Sequence, residues 1–541
     1  MIRISQIKME LFHKEEEIKK AAAKLLHLDC SAISDFLIER RSIDARKKPK
    51  LYFVYSVYLS LKGVNEEKLV KKLHSKDIVL TAPVRYKAPE LPLEIEGVAR
   101  EEYFQKEENR PVIVGFGPAG MFSGLLLARA GLRPIIYERG QAVEKRQEAV
   151  TRLWTEGKLD PNSNPQFGEG GAGTFSDGKL TSGIKDPRKR KVLESFVRFG
   201  ANPEIMYEQK PHIGTDVLRG IVKNLRNRII ELGGKVLFDT KLEEVEISEG
   251  RVSGAVVRHE NERDLIKTSN LIIAIGHSAR DTFSMLNDIG LEMEQKPFSI
   301  GVRIEHPQNV IDEGQYGEFA KFTESHQSTD SDEKREILLP PAVYNLVHHC
   351  RDGRGVYTFC MCPGGEVIAA ASEDGGVVTN GMSYSKRNSG KANSGLLVDV
   401  RIEDFESDNV LAGIEFQRKY ERLAFENSDG SYKPVEATWG DVKSESPQGR
   451  KVIDSLPSFA IESIKEAMPY LGKKLKGFDS DSSILRAVET RSSSPVRLLR
   501  NRNFESNIKG LMPGGEGAGY AGGIMSSAVD GIKLAERIMS K

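Results

Sequence analysis

The sequence predicts an α/β fold: a Rossmann-like dinucleotide-binding domain assembled from distant segments, an inserted mostly β domain, and an N-terminal ferredoxin-like α+β domain. Three observations predict it. An apolar strand runs into Gly115-Phe116-Gly117-Pro118-Ala119-Gly120 and an apolar helix follows, the order of a βαβ nucleotide unit. A second glycine-rich junction between strand and helix, from Gly510 to Ile524, stands at the far end of the chain. Residues 2–81 alternate strand and helix patterns in the order βαββαβ.

The length of 541 residues calls for two or three domains. The expected division is a ferredoxin-like domain at 1–88, a linker at 89–109 and the first part of the dinucleotide-binding domain at 110–295. A substrate or cap domain follows at 296–480, and the dinucleotide-binding domain returns at 481–541. Apolar residues make up 39% and charged residues 29%, the balance of a soluble globular protein. Lys plus Arg is 79 and Asp plus Glu is 78, so the net charge of +1 gives no general argument for nucleic acid or an anionic membrane. A charged helix follows Met1 where a signal peptide would be apolar, and the apolar runs are too short for a membrane span. Four cysteines do not make a disulfide framework, so the expected compartment is a reducing cytoplasm.

In chain order, residues 2–9 alternate as a strand, and 14–27 place Ile18, Ala21, Leu25 and Ala22 on one helix face. Strands are expected at 35–44 and 51–62, joined by a basic turn with Arg40, Arg41, Arg46, Lys47, Lys48 and Lys50. A helix at 65–75 and a strand at 78–81 complete the unit. Residues 88–109, rich in Pro, Glu and Lys, read as a linker. Past the glycine unit come helices at 141–156 and 213–232, a strand at 235–238, a meander at 242–248 and 251–259, and a strand at 270–275. Short glycine-punctuated strands then run from 297 to about 480, with helices at 404–426 and 457–468. Residues 325–335 are polar and read as a mobile loop. A helix at 525–539 ends the chain.

The pattern G-x-G-x-x-G occurs at Gly115–Gly120, Gly168–Gly173 and Gly517–Gly522. Only the first has a strand before it, a helix after it, and an acid, Glu138, closing the next strand about 20 residues on. There the glycines make a tight turn, admit a pyrophosphate against backbone and seat the helix, whose N-terminus favours anions. Pro118 and Ala119 start that helix, and Arg139 follows the acid. The second copy lies in the loop Gln166–Leu180, which has no strand before it and reads as a ligand wrap, with Lys179 a candidate charge and Leu180 at its end. The third is followed by a helix that runs out near Lys541, leaving no second strand and no ribose acid, so it is not a nicotinamide-type unit.

Candidates for chemistry beyond these are few. His348-His349-Cys350 and Cys360-Met361-Cys362 are the densest reactive clusters. C-x-C lacks the usual spacing of zinc ligands and of redox dithiols, so no metal is expected. The preferred reading is strand cysteines facing the cofactor, with Cys360 and Cys362 the pocket candidates for catalysis. His277 past a strand end reads as a hydrogen-bonded structural residue, and Arg491 as the partner of a core carboxylate.

From about residue 105 to the end the chain resembles FAD-dependent oxidoreductases of the glutathione-reductase-like, two-dinucleotide-binding-motif class. More narrowly it resembles bacterial FAD-dependent dehydrogenases without assigned substrate. The resemblance implies that Gly115, Gly117 and Gly120 face the pyrophosphate and that Glu138 takes the adenosine ribose. It implies further that Leu242 touches adenine, that Gly276 ends a strand over the dinucleotide, and that Glu516 binds ribityl hydroxyls. The segment Gly515 to Ile524, with Gly519, Gly522 and Gly523, would then bring a helix start to the flavin N1 edge, where the positive dipole end stabilises the reduced form. The expected function is hydride transfer through flavin N5 to or from a small molecule. NAD(P)H, if used, docks transiently in the substrate cleft. Two alternatives stand beside it: a flavoenzyme acting on RNA docked by the basic N-terminal turn, and a non-catalytic flavoprotein that binds a protein partner.

Overall fold

Five parallel strands, each three residues long and wholly buried, carry the nucleotide motif. Their order is Leu511–Pro513, Leu271–Ile273, Val112–Val114, Ile135–Tyr137, Lys235–Leu237, with Lys235–Leu237 the exception to full burial at the open edge. The computed structural model describes residues 1–46, 50–323 and 339–540. Side chains alternate across the sheet as strand geometry requires. Ile113, Ile136, Ile272 and Met512 face one way, into a core shared with helices Pro118–Arg129, Thr215–Glu231 and Ile524–Met539. Val112, Val114, Ile135, Tyr137 and Leu271 face the other, into a core shared with the meander Thr240–Ser248, Arg251–His259, Glu262–Lys267. The helices Pro118–Arg129 and Ile524–Met539 touch backbone to backbone. A Cβ on Gly531 would sit 2.1 Å from the Ala119 carbonyl oxygen.

The second sheet has six antiparallel strands in the order Val347–His349, Gly355–Pro363, Lys391–Val400, Phe298–Pro307, Ile484–Glu489, Val435–Thr438. Helices Ala412–Asn427 and Ser458–Lys474 pack against it. Strand Ile484–Glu489 lies between two strands of this sheet. The chain therefore returns to the first sheet after it, and not at 481 as expected. Among the described residues, six helices have no counterpart in the sequence reading: Arg100–Tyr103, Arg188–Arg198, Arg280–Asp288, Gln308–Tyr316, Trp439–Ser444 and Pro447–Ile453.

The N-terminal unit has strands Ile2–Met9, Ile33–Asp44, Tyr52–Leu61 and Ile78–Leu80 and helices Glu15–Leu25 and Glu66–Leu73, all close to expectation. In sequence numbering of those strands its sheet order is 2-3-1-4, antiparallel throughout. It leans on the cap through Phe12 against Phe322, ring centroids 5.0 Å apart. The segment read as a linker is structured: a hairpin of Glu94–Ile95 and Val98–Ala99 and a helix Arg100–Tyr103, with Phe104 buried in the nucleotide-domain core. Lys47 and Lys48 of the basic turn, and the polar loop 325–335, lie outside the described residues.

Candidate functional site

Each glycine of the first motif has a separate job. Gly115 has φ +99°, and a Cβ there would lie 2.3 Å from the Ala274 carbonyl oxygen. A Cβ on Gly120 would lie 1.9 Å from the Gly115 carbonyl oxygen, so the helix rests directly on the turn. Gly117 differs from both. Its φ is −77°, and a Cβ would meet only the Cα of Gly171, at 3.7 Å. The fold itself does not need glycine there; the space beside it does.

Glu138 is buried and fully engaged with backbone. Its carboxylate accepts from the N–H groups of Phe116 at 2.7 Å, Gly140 at 3.0 Å and Gly168 at 3.1 Å. It therefore ties the first glycine turn to the glycine loop. A carboxylate has about four acceptor sites, which leaves one for the ribose hydroxyls expected from sequence. Arg139 pairs with Asp281 at 2.8 Å and lies over the Phe167 ring at 4.5 Å.

The loop with the second glycine motif is folded around a buried arginine. Arg146 donates to the carbonyls of Asn164 at 3.0 Å, Glu169 at 2.6 Å and Gly171 at 2.9 Å. A Cβ on Gly168 would strike its side chain at 2.4 Å. Burial pulls the Arg146 guanidinium down to about 10, against the pull of Glu138 and Glu169. Burial likewise pushes Glu169 up to about 7, although Val143 N–H and Arg226 both bond its carboxylate. The third motif packs on a strand end: a Cβ on Gly517 would lie 2.4 Å from the Gly276 carbonyl oxygen. Gly522 and Gly523, just before helix Ile524–Met539, have open space where a Cβ would stand.

All three glycine segments border one cavity of about 580 Å³, a volume within the usual range for ligand sites. Gly115, Gly117, Pro118, Ala119, Glu138 and Arg139 line one end. Lys179, Leu242, Gly276, Gly515, Glu516, Gly522, Gly523 and Ile524 also border it. Three residues assigned to the cofactor do not. Leu180 is a buried core residue, Gly120 is spent on the turn, and Gly519 backs onto Arg497. His277 departs from the sequence reading as well. It is buried on the cavity wall with both ring nitrogens lacking a hydrogen-bond partner, and its Nδ1 is 3.4 Å from Glu516.

The cavity is also bordered by Lys179 of the glycine loop and by Cys360 and Glu489 of the six-stranded sheet, whereas Cys362, the second pocket candidate from sequence, is wholly buried and does not border it. Strand Gly355–Pro363 has a bulge between Phe359 and Cys362, and Cys360 within it takes φ +45°. The Lys179 ammonium lies 3.7 Å from the Cys360 sulfur and 3.8 Å from that of Cys362. Buried Arg303 grips Glu489 through two hydrogen bonds, one of 2.7 Å, and donates to Asn393 at 2.8 Å and toward Cys362 at 3.9 Å. The hydrogen bond from Cys362 holds Cys360 well below the usual thiol range; Lys179 and Arg303 add to it against burial. Cys362 is pushed well above that range by the same bond and by burial. Burial opposes the charge of Lys179, but the two sulfurs and Asp177 outweigh it and raise the ammonium. The two sulfurs are thus pushed in opposite directions, Cys360 toward the thiolate and Cys362 toward the thiol.

Further pairs bolt the cap to the glycine loop. Asp177 accepts from Arg387 at 2.6 Å and from Ser383. Arg491 pairs with Glu421 at 2.8 Å and donates to Ser278 at 2.9 Å, the core-carboxylate role read from sequence. The sequence reading missed Arg146, Arg303, Glu489, Asp177 and Arg387, since no local pattern marks a side chain whose partner is far along the chain.

Residues 297–492 match the family described as FAD-dependent protein, C-terminal domain-like, and residues 1–60 match a domain of unknown function. An uncharacterized protein of Clostridium beijerinckii is 44% identical over 557 residues, covering 100% of this chain and 99% of its own length. The chain belongs to this family of FAD-dependent proteins. Similar solved structures include the flavin-dependent brominase Bmp2 as a triple mutant, 12% identical, with 79% of each chain covered and a TM-score of 0.36. Another is the glycerol-3-phosphate dehydrogenase from Bacillus halodurans complexed with FAD. It is 13% identical over 82% of this chain and 65% of that one, with a TM-score of 0.35. Among the described residues no helix is long and apolar enough to cross a membrane.

The residues present fit FAD. The Gly117 space is one that a Cβ would fill, the unpartnered His277 nitrogens face the same cavity, and a 16-residue helix opens onto it. That helix start is a positive dipole end.

Proposed function

We propose that this FAD-dependent family member is an oxidoreductase that acts on a small molecule between the flavin and the cap. One observation carries the reading: the glycine turn of Gly115–Gly120 and the Lys179–Cys360 contact open on the same cavity, with Cys362 buried behind them. Backbone at Gly117, Pro118 and Ala119 would receive the pyrophosphate, and the remaining acceptor site of Glu138 the adenosine ribose. Leu242 and Gly276 would flank the adenosine half. Glu516 would take ribityl hydroxyls and His277 a polar edge of the cofactor, with Gly522, Gly523 and Ile524 at the flavin. FAD, when bound there, supplies two-electron chemistry by hydride exchange at N5.

The chain's own residues set what meets that ring. Lys179 lies against the Cys360 sulfur, and the buried Arg303–Glu489 pair braces the sheet behind it, so a substrate entering this end faces an ammonium beside a sulfur. Arg41 is paired with Glu204 at 3.2 Å and with Glu208, and Arg46 with Asp44 at 2.8 Å. With two of its arginines internally satisfied, the basic turn favours the small-molecule reading over RNA.

Anaerobic mixing of the FAD-loaded protein with NADH, with NADPH and with a panel of small-molecule donors tests the proposal. Loss of the oxidised-flavin absorbance with at least one donor, and its return with an acceptor, is expected. Retention of FAD with no donor-dependent bleaching would leave a binding protein and no oxidoreductase.

A further inference from the structure

Away from the cavity, the outer strand of the six-stranded sheet, Val347–His349, runs beside helix Ser458–Lys474. Strand alternation carries His348 and Cys350 to the same side. The helix offers them one face. Ser463, Glu466 and Tyr470 are spaced three and four apart, as neighbours on a helix surface are. Tyr470 stacks on the His348 ring, centroids 4.3 Å apart and planes 12° from parallel. The Cys350 sulfur points at the Ser463 carbonyl, 3.6 Å away. Glu466 Oε1 lies 3.6 Å from His348 Nε2 and accepts from the N–H of Arg351 at 3.1 Å, leaving Oε2 free to swing in.

Nε2 of His348 is buried and has no hydrogen-bond partner. The ring is thus clamped by stacking while Nε2, without a hydrogen bond, faces the Glu466 carboxylate at 3.6 Å. The three donor atoms all lie within 4.8 Å of one another. Zinc bonds of about 2.0–2.3 Å to N, O and S require ligand atoms somewhat closer than that, and the Glu466 side chain has the freedom to close the gap.

We propose that His348, Cys350 and Glu466 form a zinc site that staples the outer strand of the cap sheet to helix Ser458–Lys474. The donor set selects the metal. Calcium and magnesium take oxygen ligands, whereas one imidazole, one thiolate and one carboxylate suit zinc. Charge closes as well: Zn²⁺, cysteinate and carboxylate with a neutral imidazole sum to zero, which a half-buried site tolerates. On binding, the Cys350 S–H bond is exchanged for an S–Zn bond and the proton leaves to buffer. The fourth position is open to water on the solvent side of His348 and Glu466, both partly exposed. The staple would also protect the sheet's edge. Sequence spacing pointed away from this site because its third ligand comes from a helix over a hundred residues later.

The test uses metal-stripped, full-length protein with its flavin. Zinc is titrated against a chromophoric chelator. Cobalt(II) is added in a parallel series and read as a difference spectrum, so that the flavin bands cancel. About one equivalent of either metal should bind, with a thiolate-to-cobalt charge-transfer band that zinc abolishes. Cys350→Ser should remove the band, and His348→Phe, which keeps the stacking on Tyr470, should weaken zinc binding at least tenfold. Glu466→Gln, on the partly exposed helix face, serves as a second variant that keeps its shape. Cys362→Ser should leave band and stoichiometry unchanged. A band lost in Cys362→Ser but kept in Cys350→Ser would place the metal in the cavity and overturn the proposal. So would fractional binding that none of these variants alters.

Discussion

The two ends of the cavity are built on opposite plans. The nucleotide end is backbone: three glycines, a strand end and N–H groups collected on one carboxylate, from Val112 to Glu138 with Gly140 and Gly168 added. The other end is side chain: Lys179, Cys360 and Glu489 at the cavity, backed by buried Arg303, Cys362 and Asn393, all gathered from separate segments. The glycine turns are sensitive to the presence of a Cβ. Side-chain clusters are sensitive to the loss of one partner, because the other is left buried and uncompensated.

That contrast orders the expected effects. Gly120→Ala should be the most severe, since the new Cβ falls 1.9 Å from a backbone oxygen that cannot yield without moving the turn. Loss of soluble folded protein on expression is the expected result, and a wild-type urea midpoint would break the backbone half of the comparison. Arg303→Met should cost about 3–5 kcal/mol by stranding Glu489 in the interior. The double variant Arg303→Met/Glu489→Leu should recover most of that, as urea denaturation of the three proteins would show.

Glu138→Ala comes next. Hydrogen bonds to a charged acceptor are worth roughly 1.5–3 kcal/mol, so FAD should bind about ten- to a hundredfold more weakly. Because the carboxylate also holds three backbone N–H groups, the unfolding temperature should fall as well, which differential scanning calorimetry would detect. The smallest effect is on acid–base behaviour. Cys360 is held below its ordinary thiol value partly by Lys179, so Lys179→Met should move the pH midpoint of Cys360 alkylation upward. At neutral pH the labelling rate, followed by mass spectrometry of the Cys360 peptide, should drop. An unmoved profile would detach the ammonium from the thiolate.

The same contrast explains what the sequence discloses. The glycine turn and Glu138 are legible because their physics is local: consecutive residues make one strand, one turn and one helix. The N-terminal strands and helices are legible for the same reason, through period-2 and period-3.6 alternation. Arg303 and Glu489 are 186 positions apart, and each alone is an unremarked charge. Leu180 illustrates the reverse error: it closes a glycine loop that does border the cavity, yet its apolar side chain turns into the core. Strand Ile484–Glu489 falls inside the expected 481–541 segment yet pairs in the six-stranded sheet, because a local pattern does not report which sheet a strand joins.

Gly117 tests the central claim, a dinucleotide lying against the first glycine turn, most directly. Alone of the three glycines in the motif it has an ordinary φ and no close neighbour for a Cβ, so Gly117→Val perturbs the space and spares the fold. The measurement is an equilibrium titration of FAD into apoprotein by flavin fluorescence, with thermal unfolding of the same apoprotein samples. The account predicts an unfolding temperature close to wild type and FAD affinity at least about a hundredfold weaker, some 2.8 kcal/mol. Wild-type affinity in a normally folded Gly117→Val protein would contradict it.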